Sequence, residues 1–120
     1  MVADSAGANL VLGMIMLCIK RSFKKPDGFV AIYPSTSVNK STFVPSALYS
    51  LDDTFLTTSF IYLCCDYYLN DDKIDLKNYF LCPLFAPDEI LKEFPPMRWF
   101  IAGLDPLRDQ QYRFLNKIAK

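Results

Sequence analysis

Histidine does not occur anywhere in the 120 residues. A neutral serine hydroxyl is a poor nucleophile at pH 7 and needs an adjacent base, almost always an imidazole. No serine of this chain finds that base within its own sequence. An excess of charge is missing too, with 13 basic against 13 acidic residues, so no global field favours nucleic acid or an anionic membrane surface. The apolar run Leu10–Ile19 is too short to span a bilayer, and no transmembrane segment is expected. Asp4 stands where a secretory leader would carry positive charge, so a cytoplasmic chain is expected. Among the four cysteines, Cys18, Cys64, Cys65 and Cys82, no Cys-x-x-Cys pair occurs. They read as reduced core residues, neither a disulfide frame nor a zinc site, so neither metal nor cofactor is implied.

Apolar residues, by contrast, are plentiful at 52%, and aromatics reach 15%. That composition forms a core, and the length suits one domain. The chain is organised around Val2-Ala3-Asp4-Ser5-Ala6-Gly7-Ala8-Asn9-Leu10. A serine between small residues, followed at once by an apolar helical run, is the pattern of a nucleophile elbow. In such a strand-to-helix turn the positions two before and two after the serine, here Ala3 and Gly7, must be nearly free of side chain. Ala6, next in line, would give its backbone N–H to an oxyanion hole at a helix N-terminus. The same residues also fit a simpler reading in which Ser5 caps the helix.

The run from Ala6 to about Phe23 reads as a helix apolar nearly all round, hence buried, and closed by Lys20, Arg21, Lys24 and Lys25 at its negative end. Phe29–Tyr33 reads as a buried parallel strand stopped by Pro34. The strand feeding the serine turn is expected to precede Met1. Residues 35–52 read as loop. Asp52 and Asp53 then open a helix over about 54–69, whose Phe55, Phe60, Leu63 and Tyr67 suit either an apolar cavity or core packing. Residues 70–78 form a charged connector, and a short helix lies near Asp88–Lys92. Met97–Ala102 is the second strand. Asp105-Pro106 opens the last helix, where Asp105 serves as N-cap, as a catalytic acid beyond a strand end, or as both.

Asp4-Ser5-Ala6-Gly7-Ala8-Asn9-Leu10, Tyr33-Pro34, Pro83-Leu84, Ala86-Pro87-Asp88, Pro95-Pro96 and Gly103-Leu104-Asp105-Pro106-Leu107-Arg108-Asp109 together resemble the hormone-sensitive lipase family. These are serine esterases and lipases of the α/β-hydrolase fold. The resemblance implies an α/β chain forming an interior part of that fold over residues 1–120: a nucleophile-elbow helix, two parallel strands, further helices and an incomplete sheet. It implies Ser5 as nucleophile, Asp105 as triad acid and Ala6 as a backbone oxyanion donor. Ala3 replaces the family's first elbow glycine. The H-G-G-G oxyanion loop has no counterpart, and the triad histidine is absent. The resemblance further implies an acylglycerol or other lipid ester, or a small acyl ester, as substrate, with possible lipid-droplet association and no nucleic acid. The 120 residues alone are then expected to be inactive. The alternative is a non-catalytic relative that binds acyl ligands or another protein.

Overall fold

The computed structural model describes residues 1–42, 44–70 and 73–119. Its centre is a three-stranded parallel sheet in the order β1 (Val2–Asp4), β2 (Phe29–Ile32), β3 (Met97–Phe100). Val2 lies opposite Val30 and Asp4 opposite Ile32, while Phe29 lies opposite Met97 and Ile32 opposite Phe100. Val30 N–H donates to the Met1 carbonyl at 2.9 Å, and Tyr33 N–H to the Phe100 carbonyl at 2.7 Å.

The strand that feeds the serine turn is therefore Val2–Asp4 itself, where the sequence had suggested one before Met1 and only two strands in all. Three residues are too few to show a strand period. Their extended form comes from the ladder with β2.

Helix α1 (Ser5–Lys20) follows β1 without a linking residue. Its core face carries Ala8, Leu12, Ile15 and Met16, all fully buried against Phe29, Ala31, Leu91 and Phe114. The opposite stripe, Leu10, Met14 and Leu17, is exposed. The all-round apolar pattern thus does not make α1 buried on every side: the sheet and the segments that carry Leu91 and Phe114 cover one face only. At Gly13 the helix runs so close to the 78–82 segment that an added Cβ would lie 2.8 Å from the Phe80 carbonyl oxygen. Beyond Lys20, Ser22 adopts φ +54°, a left-handed helix ending. The Lys20 ammonium lies 5.5 Å from the Phe80 ring centroid, and Lys25 pairs with Glu93 at 3.8 Å.

Part of the expected loop over 35–52 is a 3₁₀ helix, Pro45–Ser50, begun by its proline. Helix α2 (Thr58–Leu69) starts four residues later than the acidic pair had suggested. Asp53 instead accepts from the N–H groups of Phe55 and Leu56 at 2.6 and 2.9 Å, while the Thr57 hydroxyl accepts from Phe60 N–H at 3.0 Å and caps the helix. Those two backbone donors hold the Asp53 carboxyl below its ordinary pKa. No residue of α2 is buried, so core packing does not account for its aromatics.

Of the charged connector, residues 71 and 72 lie outside the described residues. A second 3₁₀ helix (Pro83–Phe85) and α3 (Asp88–Leu91) precede β3. Helix α4 (Arg108–Ile118) ends the fold, with Phe114 packed on Trp99 at 5.4 Å between ring centroids. The cysteines are free: Cys82 is buried, Cys18 and Cys65 are half-buried, and Cys64 is exposed, which removes it from the expected core set.

Candidate active site

Parallel strands present their carboxyl ends along one edge, where α/β folds gather ligands. At that edge β1 gives way to Ser5, β2 to Tyr33-Pro34, and β3 to the 101–107 loop that carries Asp105. Ser5 has φ +46° and Tyr33 has φ +36°. Both lie in the left-handed region that non-glycine residues avoid, and such conformations persist only where the surroundings hold them. At Ser5 the hold is visible. Asp4 is still paired in the ladder opposite Ile32, and the Ser5 carbonyl accepts from Ser35 N–H at 3.3 Å. Strand, turn and helix leave no spare residue in which to relax. At Gly7 an added Cβ would meet only the Asp4 carboxylate at 4.0 Å, an ordinary contact, so the expected need for a bare position two after the serine does not arise from crowding here.

Ser5 and Ala6 line a half-open cavity of about 370 Å³. Ala6 lies in the first turn of α1, where backbone N–H groups have no intrahelical acceptor. The far wall comes from α2 and the residue stretch before it: Leu56, Phe60, Ile61 and Tyr68. Leu10, Val38 and Leu107 add to its apolar lining, and among the described residues none of the lining side chains is charged. Of the four bulky residues singled out on 54–69, only Phe60 reaches the cavity. Phe55, Leu63 and Tyr67 are exposed away from it. Cys64 and Cys65 also face this space, and burial pushes the Cys65 thiol above its ordinary pKa.

Asp105 is half-buried. Its Oδ1 accepts from Leu107 N–H at 2.7 Å and its Oδ2 from the Gln111 amide at 3.0 Å. The first bond is a turn-capping bond, so the capping role expected from Asp-Pro is real, though it caps the turn that enters α4. Burial raises the Asp105 pKa above its ordinary value, and the two hydrogen bonds oppose that rise. Asp105 and Ser5 are not hydrogen-bonded to each other. They stand beyond β3 and β1, with the whole width of β2 between them.

Three polar residues to which the sequence reading gave no role, Asn9 and Asp109 within its quoted motifs and Gln110 outside them, hold this edge together. Buried Asn9 donates from its amide to the Ser35 carbonyl at 2.9 Å and to the Leu81 carbonyl at 3.0 Å. Buried Gln110 accepts at Oε1 from Thr36 N–H and Ser37 N–H, at 2.9 and 2.6 Å. Asp109 accepts from Ser46 N–H at 2.8 Å. The loop after β2 and the 3₁₀ helix after it are thus pinned to α1 and α4 by side chains. A polar residue on the apolar face of α1, and a Gln in the first turn of α4, were the only signals available. Among the described residues, no group of three or more cysteine, aspartate or glutamate side chains could hold a metal ion.

Comparison with known proteins agrees with this architecture. Residues 1–120 match the family described as alpha/beta hydrolase fold. The vegetative-specific protein H5 of Dictyostelium discoideum is 31% identical over 121 residues, covering 98% of this chain and 35% of that protein. The hormone-sensitive lipase of Mus musculus is 40% identical over 43 residues, which are 36% of this chain and 6% of the lipase. The crystal structure of carboxyl esterase 2 from the mycorrhizal fungus Tuber melanosporum superposes with a TM-score of 0.88 at 29% identity, covering 98% of this chain and 38% of that one. This chain therefore spans little more than a third of the length of the relatives that it matches throughout. It belongs to the alpha/beta hydrolase fold family, as a carboxylesterase-like member related to hormone-sensitive lipase.

Proposed function

We propose that the chain carries the nucleophile and the acid of a serine carboxylesterase or lipase, with Ser5 forming the acyl-enzyme. The observation that carries this reading is the φ of +46° at Ser5, between β1 and α1, on the wall of an uncharged cavity. A capping serine needs no strained backbone. A serine that must stand clear of the sheet and meet a carbonyl does. In the proposed reaction an imidazole takes the proton from Ser5 Oγ while that oxygen attacks the ester carbonyl. The Ala6 N–H helps to hold the oxyanion, and Asp105 steadies the imidazolium. The imidazole then protonates the departing alcohol, and water cleaves the acyl-serine in a second round. These 120 residues contain no histidine, so the imidazole has to come from outside them.

The cavity fits a neutral ester with an apolar acyl part, such as an acylglycerol or a small acyl ester. Apolar walls reward each buried methylene by ~0.8 kcal/mol, and no cation is present there to hold a charged acid. Cytoplasmic work at a lipid-droplet surface suits such a substrate. None of the described helices is long and apolar enough to cross a membrane.

The test is hydrolysis of p-nitrophenyl butyrate. The 120 residues alone are expected to show no rate above a Ser5→Ala control. Turnover by the chain alone, lost in Ser5→Ala, would refute the need for an outside imidazole. A second reading is an acyl-ligand-binding or protein-interaction module without catalysis, supported by the apolar cavity itself. Tight fatty-acyl binding by natively isolated protein that never acylates Ser5 would select it.

A further inference from the structure

Gln111 is fully buried in the first turn of α4, and its two amide atoms are treated very differently. Its Nε2 donates to Asp105 Oδ2 at 3.0 Å, whereas its Oε1 has no hydrogen-bond partner among the described residues. A buried carbonyl without a donor costs stability. An isosteric apolar side chain would avoid that cost, so the carbonyl is not what selects a glutamine here. What the amide does accomplish is at Asp105. Leu107 N–H alone would fix one carboxylate oxygen and leave the group free to turn about it. A second donor on the other oxygen fixes the plane. Each oxygen keeps a further acceptor site for an imidazole N–H.

We propose that Gln111 is a positioning residue that orients the Asp105 carboxylate and favours its ionised form. The proposal rests on the reading of Asp105 as the catalytic acid. The neighbouring charges are engaged elsewhere. Arg108 donates to the Gly103 carbonyl at 2.9 Å and to Asp109 at 3.1 Å, and Asp109 also accepts from Ser46 N–H. No charged side chain contributes to the shift of Asp105, which is set by burial against the Leu107 N–H and the Gln111 amide. The amide is carried on a helix whose Gln111 N–H bonds the Leu107 carbonyl at 3.3 Å, so donor and carboxylate share one rigid turn.

The experiment is an NMR titration of the isotopically labelled chain, which needs no catalytic turnover. In the wild type, the Gln111 side-chain amide signals are expected to move with the same midpoint as the Asp105 carboxyl carbon, and Asp105→Asn is expected to abolish that movement. Gln111→Met is expected to raise the Asp105 midpoint by about one pH unit, the loss of one hydrogen bond to a charged group. Above that midpoint the lost hydrogen bond to the Asp105 carboxylate offsets the removal of the unpartnered carbonyl, so its Tm should stay near that of the wild type. A Gln111 amide that stays still while Asp105 titrates overturns the proposal, as does an unchanged midpoint in folded Gln111→Met. If that variant does not fold, the wild-type titration decides. Failure of the nucleophile reading would appear as an unreactive Ser5 and would leave this coupling as measured.

Discussion

Ser5 and Asp105 carry the chemistry on this reading, and their substitutions have distinct expected outcomes. Where the catalytic imidazole is supplied, Ser5→Ala should lower kcat by about 10⁶-fold. Asp105→Asn should lower it by about 10⁴-fold with KM little changed, because the acid acts on the imidazole and not on substrate binding. Steady-state ester hydrolysis measures both. Asp105 also makes stability depend on pH. Its folded pKa lies above the ordinary 3.8, so the folded state holds this proton more tightly than the unfolded chain does. Stability from this group is therefore greatest below about pH 3.8 and is lost as pH rises through its folded pKa. The stability of wild type relative to Asp105→Asn should fall across that window in urea titrations at successive pH values. A flat difference would contradict the burial of the carboxyl. The turns at Ser5 and Asp105 were legible in the sequence because a turn-forming motif surrounds each. Asn9, Gln110 and Gln111 were not, since an amide becomes informative only when the partners that the fold brings to it are known.

The elements are positioned by close approach and by buried amides as much as by apolar faces. Gly13→Ala would drive a Cβ to 2.8 Å from the Phe80 carbonyl oxygen, a backbone atom with little room to retreat. Overpacking costs ~1–3 kcal/mol, against ~1 kcal/mol gained from alanine's better helix propensity. The expected result is a net loss of about 1 kcal/mol, read as a lower Tm. Gln110→Ala would leave the buried N–H groups of Thr36 and Ser37 without their acceptor. At ~1–3 kcal/mol for each unpaired group, thermal unfolding should show a loss of at least ~2 kcal/mol. The 35–38 loop that lines the cavity should loosen with it. Longer elements announced themselves through composition and breakers: α1, β2, α3 and β3 lie close to where apolar runs and prolines placed them, while α2 and α4 begin a few residues beyond the acidic caps expected to open them. The exceptions have local causes. Val2–Asp4 is too short to carry a period, Asp53 caps a turn ahead of the helix that Thr57 caps, and Pro45 begins a 3₁₀ helix inside a polar stretch that looked irregular.

At the scale of the whole molecule, apolar surface remains uncovered in two places, the outward stripe of α1 and the sheet face turned away from α1. Leu10 is 61% exposed and Leu17 43%, both on the outward stripe of α1, and Phe100 at the end of β3 is 58% exposed. An apolar stripe of this kind promotes association in water. The 120 residues by themselves are expected to self-associate at micromolar concentration in analytical ultracentrifugation, and Leu17→Lys should shift them toward monomer. A monomer at every concentration would contradict that expectation. The family was legible because its motifs occur in order along the whole chain. The cavity was not, because it is assembled from α1, α2 and three loops whose meeting no local pattern records. The central claim, that Ser5 is the nucleophile, is tested most directly by treating the natively isolated protein with an alkyl fluorophosphonate and mapping the adduct by mass spectrometry. The account predicts a phosphonyl group on Ser5, blocked by prior incubation with an acyl ester. Ser5 unmodified in folded protein would contradict it.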